Sequence, residues 1–391
     1  MKLNPVIIPI FLPAMGCRER CLFCNQNSTA EGLPSPSSIR NFIETSLTKI
    51  SPTNSLSLRG VKRRSNLKKE EIATPSRLAM TYKDNEYNSI SFSNEEFREK
   101  QVAFYGGTFT AIHKEDQIRY LKEVQPFLAS GLIHSIRIST RPDTLDEETL
   151  SLLKEYNVKT IEIGVQSMID EVLLLAHRGH SAMDTMEAVS RLKDKKFEVG
   201  LQLMIDLPGD TCDRFLQTLD RVIELQPNFI RIHPTLVLKG SPLENLWRAG
   251  KYSPLSLDEA IQWLKKGILK LERSFIPIAR IGLQPTKELE RDYLAGPYHP
   301  ALHQLIDSAI FHDMALSLLK SSQKNGRVLF LCHPKEVSNL RGQKNENILR
   351  LKNHFKLGEV LIDEREGLPR GFLRLQTQGG ETSIDRKSLV V

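Results

Sequence analysis

A chain of 391 residues, 26% charged and 40% hydrophobic, has the ordinary balance of a globular protein, with length for one large core and a smaller one. No run of about 20 apolar residues occurs, which excludes a membrane-spanning helix, and Pro5, Pro9 and Pro13 break the apolar start that a signal peptide would need, so the expected location is cytoplasmic. The formal net charge of +7 is modest for this length and is compatible with tRNA, with a phosphate-bearing small molecule or with no acidic partner at all.

Short β-branched runs recur along the chain at Val6–Leu12, Val102–Tyr105, Ile133–Ser139, Thr160–Gly164, Val199–Ile205 and Phe229–Ile232. Amphipathic stretches separate most of them. Ile118, Leu121 and Val124 share one helical face, as do Phe215, Leu219 and Val222. Strands alternating with helices predict parallel βαβ units, and six of them make a partial (β/α)6 TIM-like barrel of the α/β class. The long interval after the first strand holds a helix over Ser37–Ile50 and then residues 51–91, rich in Ser, Asn, Lys and Arg. With the basic run Lys62, Arg63 and Arg64, this stretch reads as a flexible surface insertion, or as an arm that touches nucleic acid. Beyond the barrel, residues 1–240, the pattern predicts a helical region over 241–325 with one long helix at Leu257–Phe275. A small C-terminal α+β extension follows over 326–391, with its own short apolar runs.

Three of the five cysteines, Cys17, Cys21 and Cys24, fall within eight residues, where a disulfide framework would spread them out. Thiolates are soft ligands suited to iron–sulfur clusters and to zinc. A structural zinc site generally wants four protein ligands, and no His or fourth Cys nearby completes one. Three thiolates on one short loop reach three corners of a cubane and leave its fourth iron open to an exogenous ligand. Arg18 and Arg20 add positive charge beside such an anionic group. Because the loop follows the first strand, it belongs at the C-terminal mouth of the barrel, where barrel enzymes keep their chemistry. A zinc knuckle and a chance cluster of thiols are the competing readings. Cys212 and Cys332 stand alone and read as packing residues.

Other strand ends carry polar or glycine-rich turns. Gly106 and Gly107, in Tyr105-Gly106-Gly107-Thr108-Phe109, would let backbone approach a ligand closely. Ser139-Thr140-Arg141 ends the third strand, and Arg141 could bind an anion or sit in a rim salt bridge. Gln166 ends the fourth strand, Arg178 follows it, and Gln202 lies on the fifth; each could instead be a satisfied polar lining residue or loop ion pair. Leu207-Pro208-Gly209 precedes a helix that Asp210 or Thr211 should cap. His177, His180 and His233 read as polar rim residues.

The spacing Cys17-x3-Cys21-x2-Cys24 resembles the signature of radical S-adenosylmethionine (SAM) enzymes. The resemblance implies a 4Fe-4S cluster on these cysteines, with SAM chelating the open iron. It implies reductive cleavage of SAM to methionine and a 5′-deoxyadenosyl radical, and an external electron donor such as ferredoxin or flavodoxin. It also implies that Phe23 contacts the adenine and that Gly106 and Gly107, with Thr108 beside them, contact the methionine end. Gln166 and Arg178 resemble SAM-contacting positions of the coproporphyrinogen-type relatives, and Gln202 stands where those relatives carry Asp. Ser139 stands where several relatives carry Glu. Within the superfamily, residues 104–112, 139–145, 161–167, 178–180 and 231–260 resemble the Elongator catalytic subunit, in a short form without the acetyltransferase domain. The Elongator subunit spaces its first two cysteines more widely, and no Gly-rich acetyl-CoA loop is seen here. Three functions stay open: radical chemistry on RNA, radical chemistry on a small molecule, and a non-catalytic metal-binding RNA adaptor.

Overall fold

The computed structural model describes residues 5–17, 20–25, 34–50, 98–322 and 326–390. The expected insertion over 51–91, with Lys62, Arg63 and Arg64, lies outside the described residues, and so does Arg18. In chain order the elements are β1 (Val6–Phe11), α1 (Pro36–Ile50), β2 (Lys100–Tyr105), α2 (Lys114–Ala129), β3 (Ser135–Thr140), α3 (Glu147–Glu155) and β4 (Val158–Gln166). Then come α4 (Asp170–Leu175), α5 (Ala182–Asp194), β5 (Glu198–Ile205), α6 (Cys212–Glu224), β6 (Phe229–Pro234), β7 (Val237–Leu238), α7 (Pro242–Arg248) and α8 (Leu257–Arg273). The chain continues through β8 (Ile278–Ile281), α9 (Lys287–Asp292), β9 (Tyr293–Ala295), α10 (Leu302–Lys320), β10 (Arg327–Cys332), α11 (Val337–Arg341), α12 (Glu346–Phe355), β11 (Glu359–Glu364), β12 (Phe372–Thr377) and β13 (Gly380–Asp385).

The large sheet runs β1-β2-β3-β4-β5-β6-β8, every neighbouring pair parallel, and curls into a half-barrel. All six strands read from the sequence are present. β8 adds a seventh: four residues between Pro277 and Gly282, too short to show a period.

Strand alternation divides the sheet into two chemically different faces. One face presents Val102, Phe104, Ile136, Ile138, Ile161, Ile163, Val199, Leu201, Ile230 and Ile232, all shut from solvent and in one core with the helices. Against it α2 turns Tyr120, Leu121, Val124 and Phe127, and α6 turns Phe215, Leu219 and Val222. The concave face carries Gln101, Tyr105, Arg137, Ser139, Glu162, Gln166, Gln202, Arg231, His233 and Arg280. On this inner face Gln101, Arg137, Glu162 and Gln166 are polar and buried, the first three bonded to one another across the strands.

α10 is apolar around most of its circumference and buries Ile306, Ile310, Phe311, Met314, Leu318 and Leu319, as a helix enclosed on several sides must. It packs against α8 and against β12 of the smaller sheet, ordered β11-β10-β12-β13. In that sheet β10 pairs parallel with β11 and antiparallel with β12, so the extension is α+β. No described helix is long and apolar enough to cross a membrane.

Candidate active site at the mouth of the half-barrel

The cysteine loop leaves β1 and is held from three directions. From β2, Ala14 N donates to the Gly106 carbonyl (3.0 Å) and Thr108 N donates to the Met15 carbonyl (2.8 Å). From the end of α4, the Ala176 carbonyl accepts Leu22 N (3.1 Å). From the segment before α7, the Lys239 carbonyl accepts Asn25 Nδ2 (2.5 Å), while Leu243 N donates to the Leu22 carbonyl (2.8 Å). Asn25 anchors the far end of the loop, and nothing in the sequence distinguishes it from any other asparagine.

Glycine makes the first of these contacts possible. A Cβ on Gly107 would sit 2.4 Å from the Met15 carbonyl oxygen and 2.8 Å from that of Leu12. A Cβ on Gly16, at φ +71°, would meet the Thr108 carbonyl oxygen at 2.3 Å. The close approach that Gly107 permits is therefore backbone against the cysteine loop.

The three thiols are free, with Cys21 buried and Cys17 and Cys24 partly so. Cys17 Sγ lies 3.4 Å from Thr108 Oγ1. Arg178 donates from Nη1 to Cys21 Sγ (3.0 Å) and from Nη2 to the Gly164 carbonyl (2.7 Å), and its guanidinium stands 6.0 Å from the centre of the Phe23 ring. Burial, and then Cys21 and Cys17 alongside, push the Cys24 thiol up to about 11; Arg178 pulls it the other way. A bound cation would reverse that balance and favour thiolates. Among the described residues no three His, Cys, Asp or Glu side chains stand close enough to share one metal ion.

Around the loop lie polar atoms shut from water and without partners: Gln166 Oε1, Arg178 Nε and His180 Nδ1. Each such atom costs about 1–3 kcal/mol unless something satisfies it. Gln166 also sits at φ +67°, a left-handed conformation at the end of β4 that costs energy to hold. Orphaned donors and acceptors at the mouth of a barrel, beside three thiols, fit a polar ligand seated there.

The candidate residues therefore converge. Phe23 packs between an apolar cluster of Val172, Ala176, Met204 and Leu207 and another of Leu22, Val237 and Leu243. Gln166 and Arg178 flank Gly164, whose Cβ would lie 3.0 Å from Gln166 Nε2 and 3.3 Å from Arg178 Nη2. Gln202 is in register with Gly164 on the neighbouring strand. Arg141 makes a two-pronged ion pair with Asp143, Nε to Oδ1 at 2.9 Å and Nη2 to Oδ2 at 2.8 Å. Thr211 caps α6 by accepting from Arg214 N, while Asp210 instead accepts from Asp206 N (3.0 Å).

One reading of the histidines changes. His180 is buried, with Nε2 against the Val165 carbonyl, and is not a rim residue, whereas His233 is half-buried on the inner face with its Nε2 closed off. Burial, with Arg178 and Arg141 nearby, holds His180 down at about 4, so it is neutral near pH 7. Sequence reasoning also missed the Asp206 brace. This residue, at φ +65° on the end of β5, accepts from Leu255 N (2.7 Å) and Tyr252 Oη (3.1 Å) through Oδ2. It ties the barrel to the segment before α8.

The model of the radical SAM superfamily matches residues 11–222, and that of the Radical_SAM C-terminal domain matches 227–311. The chain is 31% identical over 197 residues to the tRNA uridine(34) acetyltransferase of Methanocaldococcus jannaschii, covering 45% of this chain and 36% of that protein. It is 28% identical over 241 residues to Elongator complex protein 3 of Saccharomyces cerevisiae, covering 56% and 41%. The matched stretches thus span well under two thirds of these relatives. In structure, the archaeal Elp3 of Methanocaldococcus infernus with an N-terminal deletion superposes with a TM-score of 0.53 at 19% identity, over 79% of this chain and 63% of that one.

Proposed function

The chain belongs to the radical SAM superfamily, and from that premise we propose that it holds a 4Fe-4S cluster on Cys17, Cys21 and Cys24 and cleaves SAM reductively to modify an RNA, with tRNA the first candidate. The single observation that carries the reading is Arg178, which reaches Cys21 Sγ and the Gly164 carbonyl while its Nε, like Gln166 Oε1, is buried and unpartnered. When bound, the cluster and SAM supply an electron and a 5′-deoxyadenosyl radical able to take a hydrogen atom from the substrate.

The polypeptide's part is placement and shielding. Cys17, Cys21 and Cys24 hold three corners of the cluster. Gln166 and Arg178 offer an acceptor and a donor to the polar groups of SAM, with Thr108 and Gln202 on either side. Phe23, set between two apolar clusters, offers a ring face to adenine and keeps water from that side. Gly106 and Gly107 seat the loop so that the methionine end meets backbone. The electron comes from an external donor such as ferredoxin or flavodoxin.

RNA as substrate is supported by relatives named for tRNA uridine(34) and by the net charge of +7. Anaerobically reconstituted protein should contain iron and sulfide and release 5′-deoxyadenosine and methionine from SAM under reduction. RNA from a deletion strain should lack a modified nucleoside by mass spectrometry. Protein that takes up zinc in place of iron, and leaves SAM intact, would replace this reading with the non-catalytic adaptor.

A further inference from the structure

We infer that the concave face of the half-barrel carries an oxyanion subsite, formed by Arg231 and Arg280 with His233, that takes a phosphate group of the substrate. The inference rests on the proposed SAM cleavage at the cysteine loop, and it adds where a charged part of the substrate docks.

Arg137, Arg231 and Arg280 all lie on this inner face, and Glu162 pairs with the first two. Glu162 is spent on two of them: Oε1 accepts from Arg137 Nη1 (2.7 Å) and from Tyr105 Oη (2.7 Å), and Oε2 meets Arg231 Nε (2.8 Å). Among the described residues Arg280 has no carboxylate partner. It donates to neutral oxygens, Nε to the Gly282 carbonyl (3.3 Å) and Nη1 to Gln284 Oε1 (3.1 Å). Its strand neighbour Ile281 faces the helical core, which turns Arg280 to the other side. Arg280 is in register with Arg231, and burial together with Arg231 lowers its pKa. Like charges held side by side in partial burial are a standing cost that an anion would relieve.

His233 lies two residues beyond Arg231 on the same face. Its Nε2 is shut from solvent and has no partner. Burial, Arg231 and Arg280 hold it down at about 4, so it is neutral near pH 7 and can donate from one ring nitrogen. Two guanidiniums and an imidazole N–H form a donor set suited to phosphate oxygens.

Position fits a docking role. Gly164, Gln202, Arg231 and Arg280 are consecutive register partners across β4, β5, β6 and β8. Gly164 adjoins Arg178 and the cysteine loop, while Arg280 stands on the open edge strand. Three strand spacings separate the ends, about 14 Å along the sheet. A substrate anchored by phosphate at the edge could place a carbon several bonds away at the cysteine site.

The test is binding, by calorimetry, of inorganic phosphate and of a short single-stranded RNA to the reconstituted full chain and to Arg280→Gln. The variant keeps a polar amide at a half-buried position on the edge strand, and should fold. Phosphate affinity should fall about tenfold, the loss of one charge-assisted contact. If the phosphate comes from an RNA backbone, RNA binding should weaken too, its logarithmic salt slope falling by about one. If RNA binding is unmoved, the source is a small phosphate ester. In either case the His233 imidazole should titrate upward by NMR when phosphate binds. Equal phosphate affinity in the two proteins, or a His233 resonance that ignores phosphate, overturns the subsite. Failure of the proposed function would show elsewhere, as wild-type protein that releases no 5′-deoxyadenosine.

Discussion

Arg178 donates to Cys21 Sγ across 3.0 Å while its other terminal nitrogen grips the Gly164 carbonyl, so one buried side chain fixes the distance between the cysteine loop and β4. A donor to a ligating sulfur stabilises its anionic form and tunes whatever metal it holds. Arg178→Ala should therefore lower iron retention or 5′-deoxyadenosine formation about 10- to 100-fold. A purely structural role would leave the spectrum of residual cluster unchanged. A tuning role predicts a more negative reduction potential, measured by titration with electron paramagnetic resonance, and partial recovery of that potential in Arg178→Lys.

The cysteines divide cleanly by position. Cys17, Cys21 and Cys24 share the anchored loop, whereas Cys212 opens α6 and Cys332 is fully buried on β10. Replacing any one of the first three with Ala should remove the visible absorption of reconstituted protein and all 5′-deoxyadenosine. Cys212→Ala and Cys332→Ala should keep both, Cys332→Ala at a stability cost of about 1 kcal/mol for the lost packing. Cluster loss in either control would mean that the ligand set is misassigned.

Gly107→Ala tests why a glycine stands there. Its new methyl would collide with the Met15 and Leu12 carbonyl oxygens, which belong to backbone and cannot swing aside. The loop must shift or the strand end must strain, at about 1–3 kcal/mol. Cluster loading should drop along with the melting temperature. Normal loading and stability in this variant would show that the cysteine loop has slack.

Much of this was legible beforehand, because the signals are local. Val and Ile alternate along β3, β4 and β5, and three thiols in eight residues have few uses. The rest depends on contacts between distant residues. β8 is four residues long and takes its place only by pairing with β6. Tyr252 meets Asp206 from 46 positions away, with no motif to announce it. His180 looks like a surface loop residue in sequence and is buried only because its loop folds back so that Nε2 meets the Val165 carbonyl.

Asp210 and Asp206 make folding pH-dependent. Burial raises Asp206 to about 6 and Asp210 to about 7, from 3.8 for an ordinary Asp. The folded state thus holds protons that the unfolded state has released. Stability from this source is full below about pH 4 and lost as pH rises through 6 and 7. Other carboxylates act oppositely, so the isolated effect appears by comparing variants. Asp210→Asn keeps an oxygen to accept from Asp206 N. Discounted for its partial exposure, it should gain about 1 kcal/mol relative to wild type at pH 8 and almost nothing at pH 4. Thermal melts at both values check this; an equal difference at the two would remove the titration from the explanation.

Glu162 is the keystone of the inner face, with 4% of its side chain exposed and contacts to Arg137, Arg231 and Tyr105. Arg137 is further tied to Gln101 Oε1 through Nε (3.0 Å) and Nη2 (2.7 Å), and Gln101 to Ser135, so the network spans β2, β3, β4 and β6. Removing one member of a buried charge set costs more than the set itself contributes, because the partners stay charged and lose their counter-ion. Glu162→Gln should therefore destabilise the chain by about 3–5 kcal/mol. A hydrophobic replacement confined to Glu162 would do no better, since Arg137 and Arg231 would remain. Chemical denaturation of Glu162→Gln, and of Glu162→Gln combined with Arg137→Met, separates the terms. The double variant should recover part of the loss, because one stranded charge is gone. Additive losses would show instead that Arg137 and Glu162 are independently placed and that the interior is not a coupled network.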